Sequence, residues 1–136
     1  MMNTITVQTT RQFQFIDITE KVREVLKQQE VDNGAAILYV PHTTAGITIN
    51  ERADPAVRQD ILSQLNKLIP LNGGYKHLEG NAAAHIKSSL IGCSEVVIIE
   101  KEELVLGTWQ AIFFCEFDGP RTRKVYVKLI RAEKSR

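Results

Sequence analysis

The last third of this chain constrains its fold most. Between Glu95 and Ile130 four runs follow one another at strand length: Val96-Val97-Ile98-Ile99, Leu104-Val105-Leu106, Thr108 to Phe117 and Arg123 to Ile130. Turns at Lys101-Glu102-Glu103, Gly107 and Asp118-Gly119-Pro120 separate them. Short β-branched and aromatic runs punctuated this way read as strands, not as buried helices. In the last run Val125, Val127 and Leu129 alternate with Tyr126, Lys128 and Ile130, so one face is dry and the other partly basic.

Upstream, residues 3–9 and 12–16 alternate polar with apolar side chains and read as an N-terminal hairpin. Val22, Val25, Leu26 and Val31 keep helical spacing behind Asp17-Ile18-Thr19, and Asn33-Gly34 stops that helix. Ala35 to Val40 is a continuous apolar run, a central strand ended by Pro41, and Ile47 to Asn50 alternates as a further strand. Asp54-Pro55 opens a second helix, carried by Val57, Ile61, Leu62, Leu65, Leu68 and Ile69 and closed by Pro70. Leu71 to Gly80 has no apolar period, and a loop of that length is more often functional than idle. Asn81 predicts the cap of a third helix running to Leu90 or Ile91, with Gly92 beyond it. About eight strands and three helices in mixed order predict an α+β fold, a largely antiparallel β-sheet sandwich in a single compact domain over residues 1–136.

Charge narrows the partners. The chain has 17 Lys and Arg against 16 Asp and Glu, so no global field attracts nucleic acid or an anionic membrane. The balance is uneven, because Arg121 to Arg136 holds seven basic residues against Glu133 alone. Arg121 belongs to a candidate anion site, and Lys124 to Arg136 reads as a solvated last strand and tail. No apolar run approaches the roughly 18 residues of a membrane span, and the N-terminus lacks a signal-peptide core, so a cytoplasmic protein is expected. Cys93 and Cys115, without CxxC spacing, are expected as two buried thiols.

All three histidines, His42, His77 and His85, fall in polar or junction segments. Three neutral imidazoles with an open fourth position are a catalytic zinc arrangement, although no tight HExxH pair is present. The plain alternative is three surface or hydrogen-bonding residues. Thr43 and Thr44 follow His42, Glu51 lies one strand on, and Glu79 and Asn81 lie between His77 and His85. Each also has a bland role as a turn residue, a strand end or a cap. Gly80-Asn81 at a helix start offers backbone N–H groups to a phosphate or carboxylate, with Lys87 on the helix that follows. The turn from Asp118 to Arg123 displays Arg121 and Arg123, which can grip phosphate through two bonds at once. Trp109, next to Gln110, is the sole tryptophan and reads as core, interface or a stacking surface. Walker A, GxGxxG and GxSxG patterns are absent, which removes P-loop, dinucleotide-binding and α/β-hydrolase readings.

As a set, His42 to Glu51, Asp54-Pro55, Tyr75 to Gly92 and Leu106 to Arg123 resemble the YjbQ-like family of secondary thiamine-phosphate synthase enzymes, over essentially the whole chain. Many relatives carry Asp where this chain has Ala83. The resemblance implies a homotrimer acting on small phosphorylated substrates, joining a hydroxymethylpyrimidine diphosphate to a thiazole phosphate with release of pyrophosphate. It also implies one composite site: His42, His77 and His85 on a metal; Glu51, Glu79 and Lys87 catalytic; Thr43, Thr44, Gly80, Asn81, Trp109, Gln110, Asp118 and Arg121 on the substrate. Three histidines suit Zn²⁺, whereas a pyrophosphate partner suits Mg²⁺. A zinc-dependent hydrolase of a phosphorylated or acyl substrate, or a non-catalytic trimeric metal- or ligand-binding protein, are the alternatives.

Overall fold

Seven consecutive residues from Ala111 to Phe117 are buried. A strand wetted on one face cannot do this, so this segment has to be covered on both sides. A computed structural model, which describes residues 2–133, shows how. In chain order the elements are β1 (Met2–Gln8), β2 (Gln14–Asp17), α1 (Thr19–Gln29), β3 (Gly34–Tyr39), β4 (Ala45–Glu51), α2 (Pro55–Leu68), α3 (Ala82–Ile91), β5 (Ser94–Glu100), β6 (Glu103–Leu104), β7 (Gln110–Glu116) and β8 (Thr122–Arg131). They form two antiparallel sheets, a five-stranded one ordered β1-β8-β3-β5-β6 and a three-stranded one ordered β2-β7-β4. The α+β class and the count of eight strands and three helices agree with the sequence expectation.

β7 is the centre of the smaller sheet and separates two cores. Ile112 and Phe114 join Val22, Val25 and Leu26 of α1 and the inward side chains of the larger sheet. Ala111, Phe113 and Cys115 face the other way, against Leu65 of α2 and Ala84 of α3. The alternation of β7 is therefore between two apolar environments, which explains its unbroken apolar run. α2 begins as its sequence requires: the Asp54 carboxylate accepts the Ala56 N–H at 2.9 Å, with Pro55 at the first helical position.

Two local expectations are corrected. The first two strands are not a hairpin, because β1 pairs with β8 and β2 with β7, in different sheets. The link from Thr9 to Phe13 carries the chain across the sandwich. The strand expected at Leu104 to Leu106 shrinks to Glu103–Leu104, behind a tight turn in which Lys101 and Glu102 both take positive φ. Among the described residues no helix is long and apolar enough to cross a membrane. Lys134 and Arg136 of the expected basic tail lie outside the described residues.

At the start of β3, Gly34 has φ +152, and a Cβ there would sit 1.8 Å from the Ile130 carbonyl oxygen. Gly34→Ala is expected to lower unfolding free energy by about 2 kcal/mol or more, read by urea unfolding. A loss under about 0.5 kcal/mol would mean that β3 and β8 are not this close.

Candidate functional site

Strand parity brings opposite charges into the core. Arg123 stands two residues before Val125 and shares its inward face in β8, while Glu116 shares the inward face of Phe114 in β7. Glu116 is 0% exposed and Arg123 3%. Burying either alone costs several kcal/mol, so their bonding has to be nearly complete. Arg123 Nε donates to Glu116 Oε1 at 2.8 Å, and Arg123 Nη2 donates to Glu116 Oε2 and, at 2.9 Å, to Thr44 Oγ1. Glu116 also accepts from Thr9 Oγ1 at 2.8 Å and from the N–H groups of Phe117 and Asp118, both at 3.1 Å.

This buried pair sets the β7–β8 turn. Thr9 Oγ1 accepts the Arg121 N–H at 2.8 Å, and the Gly119 N–H donates to the Gln12 carbonyl at 3.1 Å. A Cβ at Gly119 would lie 2.3 Å from the Arg11 carbonyl oxygen, so the turn packs against the 9–12 loop only as glycine. The Asp118 carboxylate is then presented to two groups. It accepts from Arg121 Nη2 at 2.9 Å and from Asn81 Nδ2 at 3.0 Å.

Asn81 is therefore a tie to the turn and not a side-chain cap of α3. Its Oδ1 is buried with no partner among the described residues. Gly80, at φ +80, turns the loop into the helix. One turn further along, the His85 N–H donates to the Asn81 carbonyl at 3.4 Å. The His85 ring meets His77 edge to face, centroids 5.1 Å apart and planes at 78°. Exposed Glu79 lies 3.7 Å from His77 Nε2. His77, Glu79, Asn81, His85, Asp118 and Arg121 thus form one chain of contacts.

The other expected residues stand elsewhere. His42 Nε2 accepts the Lys124 N–H at 2.9 Å, which requires a bare Nε2. Burial, and then the Arg123 guanidinium, hold its pKa below the ordinary 6.5. Thr43 is exposed, and the Thr44 hydroxyl serves Arg123. Glu51 pairs with Gln110 at one end of the β4–β7 ladder while Ala45 pairs with Glu116 at the other. At roughly 3.4 Å per residue that separates Glu51, Trp109 and Gln110 from the Asp118 turn by about 20 Å. Gln110 Oε1 holds the Gly107 N–H at 2.7 Å, and Trp109 is exposed. Lys87 points inward, to Asn66 of α2 and the Phe13 ring.

The single composite site expected from three polar segments does not form within one chain. The expected three-histidine metal centre is corrected too. Among the described residues no three His, Cys, Asp or Glu side chains group to hold a metal ion, since the His42 Nε2 lone pair is spent on β8 while His77 and His85 meet edge on. Sequence reasoning missed Glu116 and gave Arg123 to a phosphate-gripping turn, whereas its guanidinium is buried on Glu116. The signal was available in their parity with Phe114 and Val125.

Comparison with known proteins gives the lineage. A family model described as UPF0047 protein YjbQ-like matches residues 3–132. A UPF0047 protein of Methanocaldococcus jannaschii is 54% identical over 91% of this chain and 90% of its own length. UPF0047 protein YugU of Bacillus subtilis is 50% identical over 96% and 99%. Among solved structures, an uncharacterized conserved protein of the same family from Clostridium acetobutylicum superposes with TM-score 0.93 at 55% identity, covering 94% of this chain and 99% of that one. A YbjQ-like protein of unknown function from Sulfolobus solfataricus P2 reaches 0.93 at 33% identity, covering 97% of each. These relatives carry no assigned activity. Thiamine-phosphate synthesis around a zinc or other metal centre, as the sequence resemblance implied, is accordingly overturned.

Two outcomes test the geometry. Glu116→Ala leaves a buried guanidinium without its carboxylate and is expected to cost about 3–5 kcal/mol in urea unfolding; a cost below about 1 kcal/mol would contradict the enclosed pair. His42 resists protonation in the fold, so as pH falls below 6.5 the unfolded chain takes up a proton that the folded one refuses, and stability drops. The stability of the wild type relative to His42→Gln should therefore shrink between pH 7.5 and 5. A pH-independent difference would contradict the neutral acceptor.

Proposed function

This chain belongs to the UPF0047 YjbQ-like family, and from that premise we propose that it is an acid–base enzyme acting on a small phosphorylated compound at the start of α3. The observation that carries the reading is the His77–His85 pair, ring centroids 5.1 Å apart, one helical turn from Asn81 and so from the Asp118–Arg121 turn. Two adjacent imidazoles can divide proton work, one accepting while the other donates. Arg121 spends two of its five N–H donors on Asp118 and leaves the rest for phosphate oxygens. The first-turn N–H groups of α3, at the positive end of its dipole, add to that attraction. The unpartnered Asn81 Oδ1 favours a ligand that also brings a donor, such as a hydroxyl or a protonated phosphate oxygen.

Two exposed apolar surfaces support self-assembly as part of the same proposal. The outer face of the five-stranded sheet presents Val96 at 62% exposure and Ile98 at 57%, beside Ile37, Tyr39 and Ile130. On the other side, α3 exposes Ile86 and Leu90 one turn apart, and the loop before it exposes Leu71 and Leu78. Large exposed apolar patches on a small domain mark interaction surfaces. Two different patches on one chain favour head-to-tail contact, which closes into a ring. A homotrimer joined this way would set a neighbour's sheet against the residues that flank His77 and His85. The unpaired thiols of Cys93 and Cys115 suit a reducing compartment, and we place the protein in the cytoplasm.

Calorimetric titration of the native protein with phosphate monoesters tests the site. Arg121→Ala is expected to weaken binding about tenfold or more, through loss of charge-assisted bonds worth roughly 1.5–3 kcal/mol. His85→Gln is expected to keep binding within a few-fold and abolish turnover followed by phosphorus NMR. No binding, or binding indifferent to Arg121, contradicts the reading. For assembly, light scattering should give the mass of three copies, and Ile98→Asp and Leu90→Asp should each yield monomers. A monomeric wild type would contradict the ring.

A further inference from the structure

Lys87, alone among the charged residues of the expected set, is buried in the protein, and it is independent of the acid–base reading. Its side chain is 1% exposed. Two residues beyond His85, it sits about 200° around α3 and so leaves the histidine face altogether. Its Nζ donates to Asn66 Oδ1 and lies 4.3 Å over the Phe13 ring. Among the described residues it makes no ion pair with a carboxylate. An enclosed lysine is rarely left without a counter-charge, because one carbonyl and one ring face replace little of the hydration of an ammonium.

The cover is thin. Phe13 belongs to the 9–13 link between β1 and β2, where Thr10, Arg11 and Gln12 are exposed and Phe13 itself is half-buried. The Phe13 ring stacks on the amine and belongs to neither of the two apolar cores. We propose that Lys87 is a carbonyl-binding amine, gated by Phe13, that forms an imine with a small uncharged aldehyde or ketone. The neutral Nζ attacks the carbonyl carbon, forming the C–N bond as the C=O π pair moves to oxygen. Proton transfer from nitrogen to oxygen gives a carbinolamine. Loss of the remaining N–H proton and the hydroxyl as water then leaves the C=N bond, with no oxidant or reductant consumed. Burial lowers the Lys87 pKa and so enlarges the fraction carrying the lone pair that this step needs. The surrounding ring and amide, with no fixed charge, suit an uncharged carbonyl partner better than an anionic one.

The test uses the native protein at pH 7.0 with propanal and cyanoborohydride, which traps the imine as a propyl amine, followed by peptide mass spectrometry. Exposed Lys67 and Lys76 serve as internal references. In Phe13→Ala protein, Lys87 is expected to be labelled several-fold faster than either reference, in the direction of its lowered pKa. The wild type is expected to label Lys87 several-fold more slowly than Phe13→Ala does. Lys87→Arg removes the adduct from that peptide and confirms the assignment. Labelling of Lys87 no faster than Lys67 and Lys76 in Phe13→Ala, or equal rates with and without Phe13, overturns the proposal and leaves Lys87 as an ammonium that braces α2 against α3.

Discussion

The buried pair between Glu116 and Arg123 is the constraint on which the rest of the site depends. It lies where the two sheets meet, since β8 belongs to the larger sheet and β7 to the smaller one. An ion pair in such a place adds little net stability over an apolar substitute, yet breaking it is costly. Its effect is directional. A carboxylate with five donors around it admits one arrangement of the segments that supply them, and these are Thr9, the Phe117–Asp118 backbone and Arg123 itself. The same Arg123 reaches Thr44 and so fixes the start of β4. One interaction thereby locates the 9–12 link, the β3–β4 loop and the β7–β8 turn relative to one another.

From that anchor the polar surface follows in steps. The turn holds Asp118, Asp118 holds Arg121 and Asn81, and Asn81 begins the helix whose next turn carries His85 against His77. The interior supplies rigidity and the surface supplies the groups that titrate and donate. This division accounts for an asymmetry among the polar residues. Thr44, His42 and Gln110 spend their hydrogen-bonding capacity on the protein itself, whereas Arg121 and Asn81 keep some of theirs open.

Much of this was legible in the chain. Period-2 alternation located β1 and β8, a short β-branched run located β5, and Asp54-Pro55 and Pro70 bracketed α2, because these signals are local and depend on backbone geometry. Pairing was not legible. β1 and β2 look like a hairpin in sequence and are separated into two sheets by a link whose path is set by tertiary contacts with Gly119 and Glu116. The histidines illustrate the same limit: their polar setting suggested a shared metal, but spacing could not reveal that the Lys124 backbone claims His42. Arg123 misled because it was read with Arg121 as a residue of an exposed turn, without regard to strand parity. Its place in register with Val125 and Val127 was the overlooked signal.

The central claim is that the buried pair and the surface cluster are one mechanical unit, so that a ligand at Arg121 is felt at His77 and His85. Proton–nitrogen NMR of the imidazoles during titration with a phosphate monoester reads this directly. The His77 and His85 signals should move together along one saturation curve in the wild type, and in Glu116→Gln that coupled response should weaken while the free-protein signals stay dispersed. Imidazole signals that ignore the ligand, or that respond equally well without the Glu116 carboxylate, would contradict the account.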